Sequence, residues 1–277
     1  MSSSTIFIIG PARSGTKLFR DTLATHDEIA KVPYDINYLW KRFHPEISHD
    51  ALTVAHADQR TAVFIAKYLD SKRKNKKYVI EKTVSNTLRV DFVDKALPNG
   101  KYIYLYRDGR DCVESVIRQW GRLPELSYLA RKFFSTPIHL VLPYILQYGK
   151  NLLCLGIKEA RPENYIWGVK FRGFENALKT QSVTEICCNQ WNECIEAMLA
   201  SQHVLGERCL VIRYEDFVQR TDQILDEVAL FLKLPSNFNA PKIHRDRVGF
   251  SKNNIDDHQY KLLSEMLEKN LTALGYQ

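Results

Sequence analysis

The chain has 277 residues and a formal net charge of +7, from 39 lysines and arginines against 32 aspartates and glutamates. Hydrophobic residues make up 45% and charged residues 26%, values that exclude a disordered, fibrous or coiled-coil protein and predict a sizeable core. The positive surplus favours an anionic ligand or partner, although a surplus of this size also serves solubility.

Cysteine spacing and the N-terminal residues indicate the compartment. The six cysteines include no C-x-x-C pair and no partner at zinc spacing, so we expect reduced thiols. The first residues, MSSSTIFIIG, have no basic stretch and no small-residue cleavage site, which predicts that no secretory signal is present. The longest apolar stretch, 138–146, is too short to span a membrane. These features together predict a soluble, cytoplasmic protein.

Four short runs of β-branched and aromatic residues predict strands that are buried on both faces of a parallel sheet. They are Thr5–Ile9, Tyr78–Ile80, Tyr102–Tyr106 and Cys209–Arg213. Helical patterns follow three of these strands. They are Thr16–Thr25, Arg110–Trp120 and Thr221–Leu232. The alternation of strands with helices predicts a layered α/β fold.

Two segments depart from this alternation. Residues 121–174 are rich in aromatic residues and leucine and contain four prolines, which indicates a helical insertion over the sheet edge. We expect one domain, residues 1–277, in which 121–174 cap the ligand pocket.

The basic run Lys72–Lys77 (KRKNKK) is interpreted as a solvated loop or helix end, with a polyanion-binding patch as the alternative.

The loop after the first strand is built to hold a phosphate. Residues 7–19 read FIIGPARSGTKLF, so a strand, a loop with two glycines and a helix start aim backbone N–H groups and the positive end of a helix dipole at one point. The glycine spacing equals that of the nucleotide P-loop, in which a lysine follows the second glycine and a hydroxyl residue follows the lysine. Here Lys17 comes one position later, no hydroxyl residue follows it, and Arg13 lies inside the loop.

A second phosphate motif follows the third predicted strand. Residues 102–115 read YIYLYRDGRDCVES, so Arg107 ends a strand and Ser115 lies two turns into the next helix. A charged guanidinium and a hydroxyl in these positions can bind one phosphate between them. The alternative is that Arg107 only caps the strand and Ser115 is an ordinary helix residue. Two phosphate sites at neighbouring strand ends predict a nucleotide that carries two phosphate groups.

These motifs resemble those of the sulfotransferase superfamily that uses 3′-phosphoadenosine 5′-phosphosulfate (PAPS), nearest in spacing to its tyrosylprotein and bacterial types. The first loop resembles the P-[RK]-[ST]-G-[ST] motif that grips the 5′-phosphosulfate. An arginine eight residues before a serine resembles the superfamily's 3′-phosphate motif. The resemblance covers residues 5–277 in outline, and it implies a three-layer, P-loop-like α/β fold with a central parallel sheet and a helical cap on the acceptor site.

The resemblance also implies which residues bind the donor. The segment Val211–Asp216 resembles a strand that ends in Tyr-Glu-Asp near the nucleotide, and His244–Asn254 resembles a late basic loop that closes over it. For that loop the alternative is a mobile surface segment. The candidate donor-binding residues are Arg13, Ser14, Gly15, Thr16, Lys17, Arg107, Ser115, Tyr214, Ser251 and Lys252.

Catalysis by such a site would be an in-line, metal-independent transfer. The resemblance assigns Arg13, and Lys82 at 25 residues before the motif arginine, to stabilising charge on the leaving phosphate. The acceptor must also lose a proton, and Asp35 lies where related enzymes often carry a glutamate base. Its shorter side chain must sit closer to the acceptor, or it caps a helix instead. The second choices for the base are His44 and Glu81.

The expected reaction moves the sulfuryl group of PAPS to a hydroxyl or amine of a small molecule, such as a natural product or a glycan precursor, and releases 3′-phosphoadenosine 5′-phosphate (PAP). Trp167, Lys170 and Arg172 are candidates for acceptor contacts, with a core position and a solvated face as the alternatives. The competing functions are a magnesium-dependent P-loop kinase or NTPase and a non-catalytic nucleotide-binding protein. We expect no nucleic-acid or membrane partner, and the sequence does not indicate an oligomeric state.

Overall fold

The computed structural model describes residues 5–120, 167–241, 243 and 248–277. The chain divides into two compact units, Met1–Ile117 with Gly168–Gln277, and Arg118–Trp167. All elements described below belong to the first unit. Most of the predicted insertion at 121–174 lies outside the described residues, so the single-domain organisation with a cap stays a prediction. Among the described helices, none combines the length and the apolar character that a membrane crossing requires.

A five-stranded, all-parallel sheet forms the centre of this unit, in the order β2-β3-β1-β4-β5. The strands are β1 (Thr5–Ile9), β2 (Ile29–Lys31), β3 (Tyr78–Glu81), β4 (Lys101–Tyr106) and β5 (Cys209–Arg213). The register places Phe7 of β1 beside Glu81 of β3 on one side and beside Tyr102 of β4 on the other. The carboxyl ends of these three strands are therefore neighbours, the edge at which α/β folds bind ligands.

Helices and short 3₁₀ turns connect the strands. The helices are α1 (Thr16–Leu23), α2 (Asn37–Trp40), α3 (Gln59–Arg73), α4 (Val90–Ala96), α5 (Gly109–Ile117), α6 (Phe174–Thr180), α7 (Val183–Leu205), α8 (Tyr214–Gln219), α9 (Thr221–Leu232), α10 (Phe250–Asn254) and α11 (Asp257–Ala273). The 3₁₀ turns are Val54–His56, Val84–Arg89 and Gly206–Arg208. The predicted α/β class is confirmed, and all four predicted strands are present within one residue of their predicted ends.

Side-chain alternation along β1 buries both faces of the sheet. Ile6 and Ile8 pack with Phe19 of α1 in one core cluster, which also includes residues of α8 and α9. Phe7 points to the opposite face, where its ring stacks on Tyr102 at a centroid distance of 5.1 Å. A strand covered on both sides needs apolar residues at every position, which is why the run is continuous rather than alternating.

Candidate active site

The backbone of the loop between β1 and α1 is bonded to the 3₁₀ turn Val84–Arg89 and lies close against β4. The Gly10 N–H donates to the Thr87 hydroxyl at 3.1 Å, and that hydroxyl donates to the Gly10 carbonyl at 3.0 Å. A Cβ at Gly10 would lie 2.2 Å from the Leu105 carbonyl of β4, so only glycine fits between the two strands. Inside the loop, the buried Ser14 hydroxyl donates to the Pro11 carbonyl at 2.7 Å.

The start of α1 is open to an anion. Gly15 precedes the helix with a φ of +87°, and no side chain caps the first turn. The ring of Tyr214 lies directly against this glycine, because a Cβ there would come within 2.4 Å of ring carbons. Thr16 is buried and Lys17 is exposed. Backbone N–H groups at such a helix start carry partial positive charge and bind phosphate readily.

Arg13 connects the loop to the second predicted phosphate motif. Its Nε donates to the Ser115 hydroxyl of α5 at 2.8 Å, and its carbonyl accepts a hydrogen bond from Arg107 Nη1 at 3.3 Å. The backbone φ of Arg13 is +68°, the left-handed region that few non-glycine residues adopt. Arg13, Arg107 and Ser115, which were predicted to bind two separate phosphates, are therefore in contact with one another. The Arg13 guanidinium lies on the side of the predicted 3′-phosphate site.

Asp111 links Arg107 to the C-terminal part of the site. Its Oδ2 accepts from Arg107 Nη2 at 2.9 Å and from the Gly249 N–H at 2.9 Å. Its Oδ1 accepts from the Ser251 N–H at 2.8 Å and from the Ser251 hydroxyl at 2.7 Å. The Arg107 guanidinium also lies 4.7 Å from the centroid of the Tyr214 ring. Ser251 is thus brought to the predicted donor site, although part of its predicted loop, 244–247, lies outside the described residues.

Glu215 is a second residue that the sequence did not single out by itself. Its Oε1 accepts from the Asp108 N–H at 3.1 Å, and its Oε2 accepts from the Tyr276 hydroxyl at 2.8 Å. These bonds tie the start of α8, the turn after β4 and the C-terminus together around Tyr214. The sequence signal for Glu215 was the Tyr-Glu-Asp motif. The resemblance, however, implied a role near the nucleotide only for the tyrosine of that motif.

Lys82 and Asp35 form an ion pair at the end of β3. Lys82 is 8% exposed, and its Nζ donates to Asp35 Oδ1 at 2.5 Å. The Val84 N–H donates to Asp35 Oδ2 at 3.3 Å. The Asp35 side chain keeps 37% exposure, so it is open to an incoming molecule. Helix α2 has Ile36 at its N-cap and no side-chain cap bond, so the alternative role of Asp35 as a helix cap is not observed.

The second choices for the base are held by other groups. Glu81 is fully buried and accepts hydrogen bonds from Thr83 Oγ1 at 2.5 Å and Asn86 Nδ2 at 2.8 Å. Burial disfavours its charged form and raises its pKa to about 7. His44 Nε2 lies 2.8 Å from the His56 carbonyl. Of the three candidates, Asp35 is the carboxylate that contacts Lys82.

The candidates for acceptor contacts directly follow residues 121–166 of the predicted cap, which lie outside the described residues. Lys170 is fixed through its backbone, since its N–H donates to Asp50 Oδ2 at 2.9 Å and its carbonyl accepts from the Asp50 N–H at 2.6 Å. The Lys170 and Arg172 side chains are exposed, and Trp167 is half-buried. The structure therefore leaves both alternatives for these cations, acceptor contact and solvated face, as predictions.

Residues 5–136 match the family model described as the sulfotransferase family. This match confirms the predicted resemblance to sulfotransferases. The chain is 22% identical over 255 residues to protein-tyrosine sulfotransferase 1 of Danio rerio. That alignment covers 88% of this chain and 57% of the relative, so the chain spans a little over half the length of the curated relative that it matches.

Solved sulfotransferase structures share the fold. The sulfotransferase domain of the Synechococcus PCC 7002 olefin synthase superimposes with a TM-score of 0.58 at 14% identity, over 100% of this chain and 96% of that one. The sulfotransferase domain of the curacin biosynthetic pathway gives 0.52 at 16% identity, over 100% and 99%. A mouse sulfotransferase complexed with PAP gives 0.50 at 15% identity, over 97% and 85%. At these identities the likeness supports the P-loop-like fold alone.

Proposed function

We propose that this chain is a PAPS-dependent sulfotransferase that transfers a sulfuryl group to a hydroxyl or amine of a small-molecule acceptor. One observation carries the proposal. Arg13, Arg107 and Ser115 are connected by hydrogen bonds beside the uncapped start of α1, and the ring of Tyr214 contacts both Gly15 at that helix start and the Arg107 guanidinium. Two anion-binding groups at adjacent strand ends, with an aromatic ring against both, suit a nucleotide that carries phosphate at two positions.

The residues of the site fit PAPS. The first turn of α1 offers backbone N–H groups for the 5′ side, and Arg107 with Ser115 offers a positive charge and a hydroxyl for the 3′ side. The arginine and the serine are both largely buried, where a charge-assisted hydrogen bond is stronger than in water. PAP is the ligand named for the mouse sulfotransferase, which supports the same nucleotide class here.

Bound PAPS would supply the sulfuryl group and would release PAP, whose 5′-phosphate oxygen would gain negative charge as the S–O bond breaks. Lys82 holds an ammonium at the end of β3 that can stabilise this charge, and preorganised cations act mainly on the transition state. Asp35 accepts the proton that the acceptor loses, because its half-exposed carboxylate is accessible to an acceptor that binds beside Lys82. Arg13 completes the positive charge around the donor.

The acceptor class is a separate part of the proposal. We propose a natural product as the acceptor, by analogy with the sulfotransferase domains of the curacin pathway and of an olefin synthase. The exposed Lys170 and Arg172 are the proposed contacts for such an acceptor. A panel of phenols, alcohols and amines incubated with sulfur-labelled PAPS will identify it by transfer of the label.

Titration calorimetry with PAP and with ADP, each with and without Mg²⁺, tests the donor assignment. We expect PAP to bind more tightly than ADP and without a metal requirement, and Arg107→Ala to weaken PAP binding at least tenfold. Arg220→Ala, which removes an exposed arginine just after the C-terminal end of α8, is the matched control and leaves binding unchanged. Tighter, Mg²⁺-dependent ADP binding contradicts the proposal, and PAP binding without label transfer to any acceptor indicates a non-catalytic binding protein.

A further inference from the structure

The end of β3 carries a buried polar cluster that the proposed reaction does not use. Its members are Glu81, Thr83 and Asn86, none more than 1% exposed. Both carboxylate oxygens of Glu81 are engaged, one by the Thr83 hydroxyl and the other by the Asn86 amide. Buried polar groups of this kind are costly unless every partner is present, so the geometry of such a cluster is strongly fixed.

The Thr83 hydroxyl joins two separate segments of the chain. It donates to Glu81 and accepts the backbone N–H of Ile36 at 2.8 Å. Ile36 directly follows Asp35, and Thr83 directly follows Lys82. The hydroxyl therefore fastens the backbone beside the proposed base to the backbone beside the proposed charge-stabilising lysine.

A second connection reaches the same loop. Asn86 Oδ1 accepts from Arg89 Nε at 2.9 Å, and Arg89 Nη2 donates to Asn37 Oδ1 at 2.7 Å. Arg89 is 2% exposed. The residues on the carboxyl side of Asp35 are thus held twice from the end of β3, once through a backbone N–H and once through the Asn37 side chain.

We propose that Glu81 and Thr83 are positioning residues that hold the Asp35 carboxylate on Lys82. The inference rests on the proposed function, in which Asp35 is the base. An aspartate has two side-chain torsions, so the position of its carboxylate depends mainly on its own backbone. The bond from the Ile36 N–H to Thr83 sets that backbone, and the bond from Thr83 to Glu81 sets the direction of the hydroxyl.

Replacing the hydroxyl tests this positioning role. Thr83→Val removes the hydroxyl with little change of volume, whereas Thr83→Ser keeps it and is the matched control. We expect Thr83→Val to lower kcat by about 10- to 100-fold, the scale of a displaced catalytic group. The KM for PAPS stays within twofold, because the donor-binding residues of α1 and α5 are untouched. Thr83→Ser restores kcat to within about threefold of the wild type.

A measurement independent of turnover separates this inference from the proposed function. Brief acetylation with acetic anhydride, read by mass spectrometry, reports how well Asp35 protects the Lys82 amine. We expect Thr83→Val to raise the labelling of Lys82 several-fold relative to the wild type and Thr83→Ser, with Asp35→Asn as the reference for a lost partner. If the wild type transfers sulfate to no acceptor, the proposed function fails while the labelling still tests the contact.

The inference is overturned if Thr83→Val matches Thr83→Ser in both kcat and Lys82 labelling. Should Thr83→Val not fold, Glu81→Gln serves in its place. It keeps the size of the side chain and sets an amide against the Asn86 amide or the Thr83 hydroxyl. The same rise in Lys82 labelling supports the inference, and unchanged labelling in a folded Glu81→Gln protein rejects it.

Discussion

Arg13 has an unfavourable backbone conformation, and this conformation directs its side chain to a hydrogen bond with α5. A non-glycine residue in the left-handed region is destabilised by about 1 kcal/mol or more. The φ of +68° accompanies a side chain directed toward α5, where Nε meets the Ser115 hydroxyl. One residue thereby connects the loop after β1 with the helix after β4, and the positive charge lies closer to the predicted 3′-phosphate site than the sequence indicated.

Arg13→Ala tests whether Arg13 acts on the 3′-phosphate or on the 5′ side of the donor. Because the guanidinium contacts Ser115, we expect the variant to weaken PAP binding about tenfold while the affinity for adenosine 5′-phosphate, which lacks the 3′-phosphate, stays within twofold. Lys82→Ala is the contrasting variant, with unchanged PAP affinity and a loss of about 2–4 kcal/mol in transition-state stabilisation, seen in kcat. If Arg13→Ala weakens the binding of both nucleotides equally, the arginine acts on the 5′ side of the donor instead.

Among the elements, α5 has the largest share in assembling the site. Its first turns supply Asp111, which is 1% exposed and accepts hydrogen bonds from Arg107 and from the backbone at the start of α10. Gly249, at the N-cap of α10, has a φ of +67°. A carboxylate at the start of a helix interacts favourably with its N–H groups, so α5 fixes both Arg107 and the segment that contains Ser251.

Asp111→Asn is expected to loosen that connection. All the groups that hydrogen-bond to the Asp111 carboxylate are donors. The amide nitrogen of an asparagine at this position would therefore face at least one donor and could not accept its hydrogen bond. We expect PAP affinity to fall about tenfold and hydrogen exchange at Gly249 and Ser251 to accelerate. Asp257→Asn, an exposed substitution in the first turn of α11, is the control and changes neither quantity. Faster exchange without weaker PAP binding would show that the segment is tied to α5 but takes no part in donor binding.

The elements differ in how far the sequence predicts them. Strands β1, β3 and β4 were predictable because burial on both faces requires a continuous apolar run. The apolar run of β5 predicted the strand, but its predicted burial on both faces was wrong, since β5 lies at the sheet edge and Val211 is 39% exposed. Strand β2 has three residues and no such signal. The two phosphate motifs were predictable because each is local. The bond between Arg13 and Ser115 spans 102 residues of chain, so only the order of strands in the sheet brings its partners together. Asp111 contacts the local Arg107, but its partners Gly249 and Ser251 lie about 140 residues away, and no motif predicted them.

For the molecule as a whole, the buried Glu81 carboxyl couples folding to pH. Burial raises its pKa from the ordinary 4.5 to about 7, and the nearby Asp35 charge adds to this, while the Thr83 hydrogen bond and the Arg89 and Lys82 charges oppose it. The folded protein therefore holds the proton more tightly than the unfolded chain does. This contribution to the free energy of unfolding is complete below about pH 4.5 and is lost as pH rises through 7.

Glu81→Gln removes the titrating group and so isolates its contribution. A pKa raised from 4.5 to about 7 corresponds to roughly 3 kcal/mol. We expect the free energy of unfolding of the wild type, relative to Glu81→Gln, to fall by about that amount between pH 4.5 and pH 8, as measured by urea denaturation. Glu268→Gln, an exposed site on α11, is the control and shows no such trend. If the curves of Glu81→Gln and the wild type run parallel over this range, the carboxyl is ionised in the folded protein throughout, and its hydrogen bonds to Thr83 and Asn86 outweigh the cost of its burial.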